Sequence, residues 1–285
     1  VTWQLGDRTV GRVGFGSMRI TRDPDTEAAK ALLRQAVELG VDHIDTAAFY
    51  FSPGGVIGGG SGPVRYATEL IRDALSPYPR SLLVATKVGP GIDADGRWVT
   101  AATPRHLRAQ VEENLRRLGV ERLDLVNLRL TGLGREESAA QFAALAAMRD
   151  EGLIGQLGLS NARIAHLDDA SAIAPVVCVQ NSYALDLRRN DDMLRVCGER
   201  GIAFVPFFAL AGPGRESGAQ IQSDPTVRRI ARDHGATPQQ IRLAWTLHQG
   251  PHVLAIPGTG SDVHLRENMA AAGIRLTADD LAQLG

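Results

Sequence analysis

The 285-residue chain has only two cysteines, Cys178 and Cys197, and neither stands near a Cys-x-x-Cys spacing. That excludes a disulfide framework and leaves no pattern for a zinc centre, so no metal is expected. No apolar run reaches the roughly 18 residues that a membrane-spanning helix needs, and no charged-then-apolar leader opens the chain. Neither a membrane segment nor a secretory signal is expected. An excess of one charge is missing too: 31 Lys and Arg stand against 32 Asp and Glu, a formal charge of −1. Such a balance gives no electrostatic footprint for nucleic acid or anionic lipid. The local basic pair Arg116-Arg117 falls at a predicted helix end and complements its dipole. There is no linker-like tract. Residues 54–62 are rich in glycine but lie within one strand–helix unit and read as a mobile loop. With 44% hydrophobic and 22% charged residues, the composition is that of an ordinary globular protein. The expectation is a cytoplasmic enzyme or binding protein folded as one domain over residues 1–285. Nothing in the sequence sets its oligomeric state.

What is present is alternation. Residues 1–12 read as a β-hairpin with its turn at Gly6-Asp7. Eight strand signals follow, at 13–16, 41–45, 82–87, 123–129, 154–159, 176–180, 202–207 and 253–256. Helical segments separate them, placed at about 28–39, 64–75, 103–118, 141–149, 162–172 and 191–199. Further helices open at Asp224-Pro225, Thr237-Pro238, Asp262 and Thr277, several with proline at the first helical position. Strands alternating with helices suit a parallel sheet with right-handed crossovers. At this length the α/β class predicted is a closed (β/α)8 TIM barrel with an N-terminal β-hairpin and extra helices. A dinucleotide-binding open sheet is set aside, because Gly14-Phe-Gly16 lacks the third glycine of its fingerprint and Gly58 to Gly62 follow a loop.

In such a barrel the chemistry sits at the C-terminal ends of the strands. Asp45, Lys87 and Arg129 end strands two, three and four, and Tyr50 lies in the loop after strand two. Taken singly, each has an ordinary explanation: an N-capping Asp, a solvated strand-end Lys, an ion-paired Arg, a loop aromatic. Converging on one mouth, they suit proton donation. A phenol with a pKa of about 10 is a poor acid at neutral pH. A neighbouring ammonium lowers that pKa, and a carboxylate keeps the ammonium charged and oriented.

The run Gly40-Val-Asp-His-Ile-Asp45-Thr-Ala-Ala-Phe-Tyr50, with Thr86-Lys87, Gly158-Leu-Ser-Asn161, Gln180, Ile256-Pro-Gly-Thr259 and Glu267-Asn268, resembles the signature of the aldo-keto reductase family along essentially the whole chain. The resemblance implies an NADP(H)-dependent reductase of a small aldehyde or ketone. Tyr50 is then the proton donor, with Asp45, Lys87 and Arg129 completing the catalytic set. It also implies cofactor contacts at Gly16, Met18 and Asp45, and at Ser160, Asn161 and Gln180 around the nicotinamide carboxamide. Phe207 would offer a π-face to the nicotinamide ring, and Phe208 and Leu210 would lie along the pyrophosphate. Thr259, Ser261, His264, Arg266, Glu267 and Asn268 would surround the adenosine and its 2′-phosphate, where a helix N-terminus attracts an anion. The family usually has histidine in place of Arg129. An always-charged guanidinium cannot act as a neutral imidazole, yet it can polarise a carbonyl, shift Tyr50 or grip an anionic group. Val126-Asn-Leu-Arg129, Val179-Gln-Asn-Ser-Tyr183 and Pro257 to Met269 narrow the resemblance to the pyridoxal-reducing subgroup.

Other residues are assigned to packing. His43 lies one layer below Asp45 and is read as a core histidine; Cys178, Cys197 and Trp245 are read as core. Trp98, after strand three, is a candidate for lining the substrate mouth. The alternatives are a non-catalytic NADP(H)-binding module, or a reductase of conjugated C=C or imine substrates.

Overall fold

The computed structural model describes residues 2–55, 61–92, 97–100, 103–210 and 224–285. The chain begins with an antiparallel hairpin, β1 (Thr2–Leu5) and β2 (Arg8–Gly11). Strand β3 (Phe15–Gly16), helix α1 (Thr26–Glu38) and strand β4 (His43–Asp45) follow. A short hairpin, β5 (Phe51–Ser52) with β6 (Arg65–Tyr66), precedes α2 (Ala67–Leu75) and β7 (Leu83–Val88). A second hairpin, β8 (Pro90–Ile92) with β9 (Trp98–Thr100), precedes α3 (Pro104–Leu118). Then β10 (Leu123–Arg129), α4 (Arg135–Asp150), β11 (Ile154–Ser160), α5 (Ile164–Ile173), β12 (Cys178–Gln180), α6 (Asp191–Glu199) and β13 (Ala203–Phe204) alternate strictly. Helices α7 (Pro225–Asp233), α8 (Pro238–His248), α9 (Asp262–Ala270) and α10 (Ala278–Leu284), with a 3-10 turn at Ala271–Gly273, complete the described elements.

Seven strands form one parallel sheet in the order β3, β4, β7, β10, β11, β12, β13. The predicted eighth strand is present as single bridges instead of a ladder. Val253 pairs with Phe204 and Ala255 with Val13, both parallel. The backbone N–H of Leu254 donates to Phe204 and that of Ala255 to Arg12, each at 2.9 Å. One short segment thus joins both edges of the sheet, and the (β/α)8 barrel closes.

The local reasons are ordinary ones. Asp25 caps α1 by accepting from the N–H groups of Glu27 and Ala28, satisfying donors that a helix start leaves free. Thr103 caps α3 ahead of Pro104, and Gly119 ends it at φ +68°, a left-handed conformation that suits glycine. Several boundaries differ from expectation. The ladder of β13 is shorter than 202–207, since Pro206 has no N–H to donate. Helix α2 starts at Ala67 because Arg65 and Tyr66 are drawn into β6. Helix α4 contains the predicted 141–149 and starts at Arg135, where the Glu137 carboxylate accepts from the Gly134 N–H. The loops read after strands two and three contain the two small hairpins. Of the predicted glycine-rich loop, residues 56–60 lie outside the described residues.

Side chains alternate in and out along a strand, and this sorts the barrel interior by height. Leu83, Ala85 and Lys87 face inward from β7, and Leu125, Asn127 and Arg129 from β10. The hairpin side of the interior is apolar: Leu5 and Val10 of β1 and β2 pack with Leu83, Leu125, Ala203 and Leu254. Trp245 is buried in the outer core, stacked on Tyr183 at 5.9 Å. Gly158 is required in the middle layer, because a Cβ there would lie 2.1 Å from Asn127 Oδ1 and 2.7 Å from Cys178 Sγ. Gly158→Ala is expected to destabilise the fold by about 1–3 kcal/mol, the usual cost of overpacking. Thermal unfolding measures this, and an unchanged midpoint would contradict the layer.

Candidate active site

The C-terminal ends of the strands bring Asp45, Lys87 and Gln180 into one hydrogen-bonded cluster. Lys87 Nζ donates to both carboxylate oxygens of Asp45 at 2.6 Å and to the Thr46 carbonyl at 3.2 Å. Gln180 Nε2 donates to Asp45 Oδ1 at 2.8 Å. Asp45 and Lys87 are 5% and 2% exposed, so this is an ion pair largely removed from water. Such a pair persists only when its remaining valences are met, as the Thr46 carbonyl and the Gln180 amide do here.

Tyr50 is brought to the same cluster by the turn after β4. Its N–H donates to the Ala47 carbonyl, and its own carbonyl accepts from Ala67 at the start of α2. The ring packs edge-on against Phe49 at 5.3 Å, and the Lys87 ammonium lies 4.8 Å from its centroid. Burial is the largest influence on the phenol and raises its pKa. Lys87 draws it down, Asp45 up and Arg129 down, and the net direction is upward. The lowering expected from the neighbouring cation is therefore present but outweighed, because the ring is almost wholly desolvated. Tyr50 holds its proton at neutral pH. For Lys87, burial favours the neutral amine, but attraction to Asp45 and the hydrogen bonds to its carboxylate raise its pKa overall.

Arg129 ends β10, half-buried, opposite Ser160 in the register. Its Nη1 donates to Ser160 Oγ at a long 3.4 Å, and its guanidinium carbon lies 5.4 Å from the Phe207 ring centroid. Ser160 is buried at the end of β11. Asn161 follows it at φ +58°, and its Nδ2 donates to the Leu130 carbonyl at 2.8 Å. Phe207 and Phe208 follow β13 and meet edge to face at 4.9 Å. Phe208 sits at φ +66°, a strained conformation for a bulky side chain of the kind that concentrates at functional sites. Leu210 packs against the core beside Ala209, and Met18 packs against the core after β3.

The residues predicted for the adenosine end lie on α9 and the segment before it. Gly16 and Gly258 approach so closely that a Cβ on Gly258 would be 2.5 Å from the Gly16 carbonyl oxygen, which places this segment beside the barrel mouth. Thr259 Oγ1 accepts from the Ser261 N–H, and Ser261 caps α9 by accepting from the His264 N–H. His264 is exposed, Asn268 is buried, and the Glu267 carbonyl accepts from Gln240. Arg266 is exposed and paired with Asp262 at 3.1 Å. Trp98 is placed by its backbone in β9; its side chain lies outside the described residues.

Of the residues assigned to packing, His43 is buried with Nδ1 3.2 Å from Asp42. Cys178 is buried against Asn127 with its thiol pKa pushed up by burial, and burial raises that of Cys197 to about 12. Two contributors were not singled out from the sequence. Arg65 is buried and donates to the carbonyls of Thr21, Ser61 and Pro63, which anchors the hairpin that follows Tyr50. The other is the link from Gln180 to Asp45. A signal for the ion pair was available in the composition: Lys30 and Lys87 are the only lysines among 31 basic residues. Only the compact ammonium places a point charge against both oxygens of a carboxylate in so narrow an interior.

The sequence matches the Aldo/keto reductase family over residues 12–285, and the chain belongs to that family. It is 40% identical over 294 residues to the pyridoxine 4-dehydrogenase of Escherichia coli, covering 99% of this chain and 96% of that protein. It is 37% identical to an uncharacterized oxidoreductase of Schizosaccharomyces pombe, covering 99% and 88%. Among solved structures, a thermostable aldo-keto reductase in complex with the inhibitor epalrestat superposes with a TM-score of 0.81 at 30% identity, covering 100% of this chain and 98% of that one. An aldo-keto reductase from Klebsiella pneumoniae in complex with NADPH gives 0.82 at 26% identity, covering 99% and 93%. Among the described residues no helix is long and apolar enough to cross a membrane.

Proposed function

We propose that the chain is a cytoplasmic NADPH-dependent reductase of small aldehydes or ketones, pyridoxal among them, with Tyr50 as the proton donor. The observation that carries this reading is the buried Asp45–Lys87 pair set against a phenol that keeps its proton. A carbonyl oxygen received at the Tyr50 hydroxyl gains negative charge as the carbon is reduced. A fixed ammonium nearby favours that charge, and the desolvated setting strengthens the attraction. Asp45 keeps Lys87 charged and aimed, and Gln180 keeps Asp45 aimed. Tyr50 can give up its proton despite the raised pKa, because the alkoxide it protonates is a far stronger base than a phenolate.

The residues present fit the cofactor. Gln180 Oε1 is buried without a hydrogen-bond partner, an acceptor of the kind a carboxamide N–H needs. Ser160 and Asn161 flank it, and Phe207 offers an aromatic face. At the other end, Ser261, Thr259 and Arg266 gather at the start of α9, where free N–H groups favour a phosphate. Bound NADPH supplies the hydride. Arg266 now pairs with Asp262, so the carboxylate competes with a 2′-phosphate for the same cation. Asp262→Asn is expected to raise the preference for NADP+ over NAD+ by about two- to five-fold, the scale of an exposed ion pair. Arg266→Ala is expected to lower it by about ten-fold. Fluorescence titration with both cofactors reads the ratio, and equal ratios in all three proteins would remove Arg266 from the phosphate site.

The reading itself is tested by NADPH oxidation with pyridoxal and a panel of aldehydes and ketones. Tight NADPH binding with no turnover of any of them would overturn it.

A further inference from the structure

Among the described residues no carboxylate lies within 4.0 Å of Arg129. Among the described residues its contacts are the long hydrogen bond to Ser160 Oγ and the face of Phe207. Three other enclosed arginines have closer partners. Arg117 pairs with Glu69 and Glu113, while Arg12 and Arg65 direct their N–H groups onto backbone carbonyls. A half-buried guanidinium held by one long hydrogen bond has donors to offer an incoming anion. Its location limits what that anion can be. Arg129 lies one strand over from Lys87, two residues beyond Asn127, which faces Lys87 in the register, and Lys87 Nζ is 4.8 Å from the Tyr50 ring centroid; the guanidinium also leans on Phe207 beside Ser160. An anionic oxygen paired with Arg129 therefore sits at the same strand-end mouth as a carbonyl held at Tyr50.

We infer that Arg129 is a substrate-selecting residue that pairs with an ionised oxygen carried next to the reacting carbonyl. This rests on the carbonyl-reductase reading above. The substrates it favours are aldehydes with an ortho phenolate or carboxylate, and 2-oxo acids, over the same carbonyl compounds without a neighbouring charge. Pyridoxal belongs to the class, since its ring hydroxyl stands beside the aldehyde. A charged hydrogen bond made or lost at this position changes kcat/KM by about 10- to 100-fold.

The test compares 2-carboxybenzaldehyde, 4-carboxybenzaldehyde and benzaldehyde as substrates with NADPH. The wild-type enzyme is expected to prefer the ortho acid over both others by about 10- to 100-fold. In Arg129→Gln the ortho-to-para ratio is expected to fall towards one, whatever the variant's absolute rate, and Arg129→Lys is expected to keep part of it. A wild-type ratio near one, or a ratio that survives in Arg129→Gln, overturns the inference; the wild-type ratio needs no variant to fold. If none of the aldehydes is reduced, the reductase reading fails separately. Calorimetric titration of the NADP+-saturated protein with 2-carboxybenzaldehyde then decides the arginine. Binding that is weakened in Arg129→Gln and partly restored in Arg129→Lys supports anion recognition, and equal affinity in all three overturns it.

Discussion

Replacing Tyr50 with phenylalanine is expected to lower kcat/KM for aldehyde reduction by about 10²- to 10⁴-fold, the usual contribution of a positioned general acid. The change removes one hydroxyl and little else. The edge-on contact with Phe49 and the ammonium lying 4.8 Å from the ring centroid are contacts of the ring, and a phenyl ring keeps both. The barrel and the cofactor site are therefore expected to survive. The loss should fall mainly on kcat, with NADPH affinity in a fluorescence titration within about two-fold of wild type, since no cofactor contact is assigned to the hydroxyl. Turnover close to wild type would show that the proton comes from elsewhere and would return Tyr50 to the rank of a packing aromatic.

Asp45→Ala is expected to be the most destabilising single substitution at the site, by about 3–5 kcal/mol, because it leaves the Lys87 ammonium buried without its anion. At about 2–4 °C per kcal/mol for a domain of this size, the melting temperature should drop visibly. The double variant Asp45→Ala/Lys87→Met removes the orphaned charge and should recover much of the loss, the non-additivity expected of a coupled pair. A single variant as stable as wild type would mean that the pair is not buried in solution. The pH dependence has a definite sign. The folded-state pKa of Lys87 is raised above its ordinary 10.5, so its stabilisation is complete below that value and is lost as pH rises through the folded pKa. Stability should accordingly fall more steeply with rising alkaline pH in wild type than in the double variant.

Much of the site was legible because the barrel is regular. A strand's period of two fixes which of its residues face inward, and the ends of β4, β7 and β10 must then project Asp45, Lys87 and Arg129 at one mouth. What was missed depends on partners remote in sequence. Gln180 meets Asp45 across 135 positions, and no local pattern announces that. Arg65 reads as a surface residue among Gly62, Pro63 and Val64, yet it is buried on three backbone carbonyls. The small hairpins β5/β6 and β8/β9 escaped for a related reason. Two- and three-residue strands carry too little periodicity to distinguish them from loop, and only pairing defines them.

The sequence by itself determined the order of strands and helices, the closed barrel they imply and the identity of the residues at its mouth. Each of these follows from local periodicity, capping and the chirality of the crossovers. Only the tertiary structure decided how those residues act on one another. It set Lys87 between both oxygens of Asp45, closed the barrel through two bridges where an eighth ladder was expected, and gave Arg129 no carboxylate among the described residues. It also reversed the expected direction of the Tyr50 pKa. Burial and charge separation are properties of the assembled interior, and for a phenol enclosed in that interior the loss of water outweighs the nearby cations.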